Sequence, residues 1–234
     1  MTVALLVTGT DTGVGKTYVS CRVIETLRAA GHAVGAFKPA VSGSVDGRWD
    51  DADALAEATG WAADDVCPQR FHAPLAPPDA AAAEGRSVDE AAIDTAYRAA
   101  AGRCELLVVE GAGGLLSPLT DRQSVGDWAA GRRLPLLAVV EVKLGAINQA
   151  LLLAESAERR RLPTAFVLNE PRPCDPAVRR STVGTLAREL GDRIVAQVAP
   201  GGPLRAFDPG CSEITQIPEI AVRTLLRCFA SLPS

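Results

Sequence analysis

The run Gly9-Thr10-Asp11-Thr12-Gly13-Val14-Gly15-Lys16-Thr17 has the residue types that hold phosphate. Its glycines let backbone N–H groups converge on phosphate oxygens, Lys16 reaches the terminal phosphates, and the Thr17 hydroxyl can ligate Mg2+. Five residues rather than the usual four separate Gly9 from Gly15, but Gly15-Lys16-Thr17 is retained. A magnesium nucleotide also needs one or two carboxylates close by, because hard cations take oxygen ligands. Glu110 is the first candidate, since it ends an apolar run and precedes Gly111-Ala112-Gly113-Gly114, whose glycines admit a close ligand. Asp53 is the second. From pattern alone any acid of Asp50-Asp51-Ala52-Asp53 could serve, or all could be helix-start residues satisfying the dipole. Lys38 and Lys143 each follow an apolar run, where an ammonium stabilises charge at a phosphoryl-transfer site, unless it is a lysine snorkelling from a strand end.

A frame must gather these residues. Residues 3–7, 34–37, 106–109, 136–142, 164–168 and 194–198 are nearly continuous in hydrophobicity, as strands buried on both faces are. Between them, Val19, Val23 and Leu27 share one helical face, Ile147, Leu151 and Ala154 a second, and Val183, Leu186 and Leu190 a third. Gly31 and Gly191 stand where left-handed C-caps are expected. This alternation predicts a three-layer, doubly wound α/β fold with a mainly parallel sheet, one domain over residues 1–234, and ligands at the carboxyl ends of the strands. Residues 68–85 read as a long irregular connection ahead of a helix near 88–101, 201–218 as loop, and 220–229 as a closing helix.

Composition narrows the partners. The 234 residues are 47% hydrophobic and 22% charged with a net charge of -4, ordinary for a globular protein. An acidic balance lacks the counterion release on which nucleic-acid binding rests, so no nucleic-acid partner is expected. No apolar run approaches the roughly 20 residues that span a bilayer, and no basic leader precedes the first strand, so no membrane partner and a cytoplasmic location are expected. Six scattered cysteines without metal-ligand spacing read as reduced, packed thiols.

Several stretches, in order, resemble the dethiobiotin synthetase family: the phosphate loop (9–17) with the family's extra residue, Lys-Pro-Ala-Val-Ser-Gly-Ser (38–44), Asp-Ala-Leu (53–55), Val-Glu-Gly-Ala-Gly-Gly (109–114), Pro-Leu-Thr-Asp (118–121), Val-Lys-Leu-Gly-Ala-Ile-Asn (142–148) and Asn169. The resemblance implies a P-loop NTPase fold and a ligase of biotin biosynthesis. Its reaction joins 7,8-diaminopelargonate and CO2, or bicarbonate, at the expense of ATP. It also implies roles. Lys16 and Lys38 would be catalytic; Thr17, Asp53 and Glu110 would hold Mg2+. Gly13, Val14, Gly15, Lys16, Thr17, Tyr18, Asp53, Glu110, Gly111, Ala112, Gly113, Asn169, Pro200, Gly201 and Gly202 would contact nucleotide, Asn169 at the adenine edge. Thr12, Ser42, Gly113, Gly114, Lys143, Leu144 and Asn148 would contact substrate, the segment from Leu144 to Asn148 across a homodimer interface. Glu141 departs from the family pattern, which has a small or neutral residue there; it would pair with Lys143 or alter the substrate pocket. Rival readings are a partition or septum-type ATPase switch, disfavoured because Thr10-Asp11-Thr12 lacks that group's additional lysine, a non-catalytic nucleotide sensor, and a cobyrinate-type amidating ligase, for which the chain is too short.

Overall fold

A computed structural model of the chain describes residues 2–207. In chain order the elements are β1 (Val3–Gly9), α1 (Lys16–Ala29), β2 (Val34–Phe37), β3 (Val41–Ser42), α2 (Asp50–Thr59), α3 (Ala63–Val66), β4 (Arg70–Phe71), α4 (Pro77–Ala83), α5 (Glu90–Ala101), β5 (Leu106–Glu110), α6 (Val125–Gly131), β6 (Leu136–Glu141), α7 (Ala146–Arg159), β7 (Thr164–Asn169), α8 (Pro176–Leu190), β8 (Ile194–Val198) and β9 (Leu204–Ala206). All six expected strands form. The expected closing helix at 220–229 lies outside the described residues.

Seven strands make one sheet in the order β2-β5-β1-β6-β7-β8-β9, parallel except for β9 against β8. Alternate residues of each strand feed opposite cores. Ala4 and Leu6 of β1, Leu107 and Val109 of β5, and Ala138 and Val140 of β6 pack under α5, α6, α7 and α8. Leu5 and Val7, Leu106 and Val108, and Leu137 and Val139 pack under α1 and α2. A helical layer on each face is why these strands carry no polar alternation; each fully buried aliphatic side chain contributes about 1.5–3 kcal/mol.

The helix ends follow local chemistry. Asp89 caps α5 by accepting from the Ala92 N–H at 2.9 Å, which starts that helix two residues later than the apolar pattern suggests. Asp175 caps α8 ahead of Pro176. Gly31 stands beyond α1 at φ 93, as a left-handed terminator does, whereas Gly191 has φ 55 with ψ -133 and opens a 3-10 turn instead.

Two stretches differ from expectation. Within 68–85, β4 pairs with β3 as a separate two-stranded sheet and α4 forms, because Pro77 and Pro78 preset the first helical turn and the alanines after them favour helix. Within 201–218, Leu204–Ala206 is strand rather than loop, buried at Leu204 against the α1 face. Among the described residues no helix is long and apolar enough to cross a membrane. The four described cysteines, Cys21, Cys67, Cys104 and Cys174, are free thiols.

Candidate active site

The central strand β1 lies between β5 and β6, reached by connections running to opposite sides of the sheet, so a crevice opens at its carboxyl end. The phosphate loop fills that position and hands directly to α1. Gly15 caps α1 at φ 90, and a Cβ there would stand 2.2 Å from Asn169 Nδ2. At Gly9 a Cβ would stand 2.7 Å from Val14 Cγ2. Only glycine fits either place. Asn169, at the end of β7, donates from Nδ2 to the Val14 carbonyl at 2.7 Å and so fixes the loop from behind.

Lys38 leaves β2 at the same end and is buried, as is Glu110 at the end of β5. The Lys38 ammonium lies 2.6 Å from Glu110 Oε1 and 3.0 Å from Asp51 Oδ2. The Thr17 hydroxyl stands 2.7 Å from Asp51 Oδ1 and 3.0 Å from Glu110 Oε1, and the Ser20 hydroxyl donates to Glu110 Oε2 at 2.8 Å. Burial alone would lower the pKa of Lys38, but the charges of Glu110 and Asp51 outweigh it and raise the pKa above the ordinary lysine value. Burial likewise pushes the Asp51 carboxyl up, and Lys38 and Thr17 more than reverse it. Lys16 is the opposite case: burial lowers its pKa, with Lys38 adding to the effect. Its Nζ donates to the Asp11 carbonyl at 3.1 Å.

Asp53, expected among the Mg2+ ligands, stands away from Thr17, and Asp51 takes the place beside it. Two residues along a helix is about 200° of rotation, so Asp51 and Asp53 cannot both face Thr17. Asp53 turns away and pairs with Arg48 at 3.3 Å, leaving Asp51 beside Lys38 and Thr17. The dipeptide Asp-Ala occurs at both 51–52 and 53–54, which is how the register slips by two. Ser20 was also missed. It lies four residues after Lys16 on the buried side of α1, a spacing that puts it over β5.

These groups border a cleft of about 760 Å³ whose lining includes Thr12, Gly13, Gly15, Lys16, Thr17, Lys38, Ser42, Asp51, Ala112 and Gly113. Its outer wall is Pro74 to Pro77, held by the Ser42 hydroxyl donating to the Leu75 carbonyl at 2.5 Å. Val14 is buried in the α1 core, so only its backbone faces the loop interior. Gly111 is buried beneath the cleft, and Gly114 borders an adjacent groove of about 430 Å³.

A family model described as an AAA domain matches residues 3–206. The ATP-dependent dethiobiotin synthetase BioD of Anaeromyxobacter dehalogenans (strain 2CP-C) is 51% identical over 178 residues, covering 74% of this chain and 80% of that protein. Its counterpart in Anaeromyxobacter sp. (strain Fw109-5) is 42% identical over 198 residues, covering 83% and 89%. BioD 1 of Escherichia coli O157:H7 is 39% identical over 174 residues, covering 71% and 77%. The chain belongs to the dethiobiotin synthetase family. Among solved structures, the signal recognition particle receptor FtsY from Elizabethkingia anophelis in complex with GDP aligns with a TM-score of 0.54 at 15% identity, over 100% of this chain and 65% of that one. Chloroplast FtsY from Physcomitrella patens gives 0.53 at 17% identity, over 96% and 65%. At such identity the likeness shows the P-loop fold alone.

The remaining residues that the synthetase family resemblance singles out lie outside the cleft of this single chain. Leu144 is 86% exposed and Asn148 is exposed at the start of α7. Lys143 is 2.9 Å from Glu141 Oε2, so the unusual carboxylate of β6 does pair with it. Pro200, Gly201 and Gly202 follow β8, and the Tyr18 hydroxyl donates to the Gly202 carbonyl at 2.8 Å. Tyr18 thus meets that loop and is not part of the cleft lining.

Proposed function

We propose that this enzyme is the ATP-dependent cyclo-ligase that forms dethiobiotin from 7,8-diaminopelargonate and CO2, releasing ADP and phosphate. The observation that carries the reading is the buried Lys38–Glu110 pair meeting Thr17 and Asp51 at the mouth of the phosphate loop, in a chain whose relatives bear that name. The same names disfavour the switch, sensor and amidating alternatives.

The chemistry has three steps. One substrate amine adds to CO2, losing a proton, to give a carbamate. A carbamate oxygen attacks the terminal phosphorus of ATP as the bond to ADP breaks, and the second amine then attacks the carbamoyl carbon, loses its proton and expels phosphate. Lys38 stays an ammonium throughout, because Glu110 and Asp51 hold its proton, so it acts by charge and not as a base. Lys16 leaves the Asp11 carbonyl to meet the terminal phosphate. Loop amides from Gly13 to Thr17 hold the phosphates, Thr12, Ser42 and Gly113 border the carbamate side, and Gly114 continues it into the adjoining groove. For Asn169, one Nδ2 hydrogen is committed to Val14, leaving the other and Oδ1 for the adenine edge.

The donors fit Mg2+. Lys16 and Lys38 are balanced by Glu110 and Asp51, so a polyanionic triphosphate needs a further positive charge. Thr17, Asp51 and Glu110 offer hard oxygens, and among the described residues no cluster of three His, Cys, Asp or Glu competes as a dedicated cage. When bound, Mg2+ would neutralise charge on the phosphate oxygens. Asp51→Asn is expected to lower turnover about a hundredfold and raise the Mg2+ requirement, while Asp53→Asn stays within about twofold of the parent. A magnesium titration of both variants checks this, and equal defects would return Asp53 to the site.

A homodimer is supported by exposed Leu116, Leu144 and Leu152, at 60%, 86% and 56%, around the start of α7 and the neighbouring groove. There Lys143, Leu144 and Asn148 would serve the partner's substrate. The deciding experiment is phosphate release from Mg·ATP with bicarbonate, with and without the diamine, followed by mass analysis. Release that depends on the diamine and yields dethiobiotin is expected; slow release indifferent to it would overturn the reading.

A further inference from the structure

Glu141 is 7% exposed, a carboxylate set at the end of β6, where Val139 and Val140 before it and Val142 after it are all buried and apolar. Placing a charge there is costly unless both oxygens are paired. They are: Oε2 meets Lys143 at 2.9 Å and Oε1 meets Arg172 at 3.0 Å. Its strand neighbour across β7 is Asn169, the residue that holds the Val14 carbonyl.

The other partner of Lys143 is the phosphate loop. Its Nζ lies 3.9 Å from Asp11 Oδ2, beyond hydrogen-bond contact but within strong attraction. Asp11 is already committed elsewhere. Its Oδ1 accepts from the Thr12 N–H at 2.8 Å, its Oδ2 from Gln149 Nε2 at 3.3 Å, and its backbone carbonyl from Lys16 at 3.1 Å. Any movement of Asp11 therefore moves the amide of Thr12 and the resting place of Lys16 together. Four alternating charges, Arg172, Glu141, Lys143 and Asp11, run from the end of β7 to the phosphate loop.

We infer that Glu141 is a positioning residue that restrains Lys143 from closing onto Asp11 and so keeps the phosphate loop in its nucleotide-ready shape. The inference rests on the phosphate-loop reading above. Without the Glu141 charge, Asp11 is, among the described residues, the remaining carboxylate paired with Lys143. The ammonium then advances by about an ångström to a full ion pair, pulling Asp11 away from the Thr12 amide.

The test is a Mg·ADP titration of the full chain and three variants, with ligand-free melting temperatures alongside. Glu141→Gln, which keeps the shape and removes the charge, should weaken Mg·ADP about fivefold with an unchanged melting temperature, and Lys143→Met should stay within about twofold. The double variant should recover, because the lysine that would invade is gone. A Glu141→Gln affinity equal to the parent's overturns the inference, as does a double variant as weak as Glu141→Gln. Should Glu141→Gln prove too unstable to titrate, the double variant decides alone: affinity within about twofold supports the restraint, and a fivefold loss overturns it. ADP affinity is read without the diamine. A chain that passes this test yet makes no dethiobiotin would overturn the proposed reaction only, and the converse result would overturn the restraint only.

Discussion

Lys38→Met is expected to cut turnover by at least about a thousandfold while leaving Mg·ATP bound within about threefold. The ammonium is buried 2.6 Å from Glu110 and 3.0 Å from Asp51, so it cannot swing far, and what it offers a ligand is charge at a fixed point. A phosphoryl group in transfer feels that charge more strongly than a bound ground state does, which is why the loss falls on turnover. The substitution also leaves Glu110, fully buried, with the Thr17 and Ser20 hydroxyls as its side-chain partners among the described residues. Breaking a buried pair in this way costs about 3–5 kcal/mol. Lys38→Met with Glu110→Gln should regain most of that stability and none of the turnover. Urea unfolding and diamine-dependent phosphate release separate the two effects, and a defect confined to nucleotide binding would contradict the role given to Lys38.

Lys16→Ala is expected to bring phosphate release below about a thousandth of the parent's, with the fold intact. Lys16 is 8% exposed and opens α1, yet the described bond of its ammonium is one to the Asp11 carbonyl, which lies on the same loop. Alanine is the better helix former, so the lost hydrogen bond is partly offset and the melting temperature should fall by no more than a few degrees. Retained turnover would remove the nucleotide assignment altogether. A large drop in melting temperature would show that the loop depends on the lysine for its own shape.

The sheet was legible because parallel strands buried on both faces leave unbroken apolar runs, and the helices because their apolar residues recur at the helical period. Strand ends and loops were legible for a different reason: Gly9, Gly15, Lys38 and Glu110 are residue types that a plain strand-to-helix turn does not call for. What depended on side-chain direction was not. Asp51 and Asp53 differ only in which side of α2 they occupy, and the apolar pattern of a ten-residue helix beginning with three acids does not fix its phase to one residue. Ser20 is polar on a buried face, visible only once β5 is known to bring Glu110 there. The pairing of β3 with β4 joins residues almost thirty positions apart through strands of two residues each, too short to show alternation. The phenol of Tyr18 reaches Gly202 across 184 positions, and no local pattern announces such a contact.

The amide of Asn169 occupies the volume that any side chain at position 15 would need, and the same amide holds the loop carbonyl beside it. Positions 15 and 169 are therefore one choice made twice. Any replacement at residue 169 would therefore also unlatch the phosphate loop, and a larger residue at position 15 could not restore the lost bond.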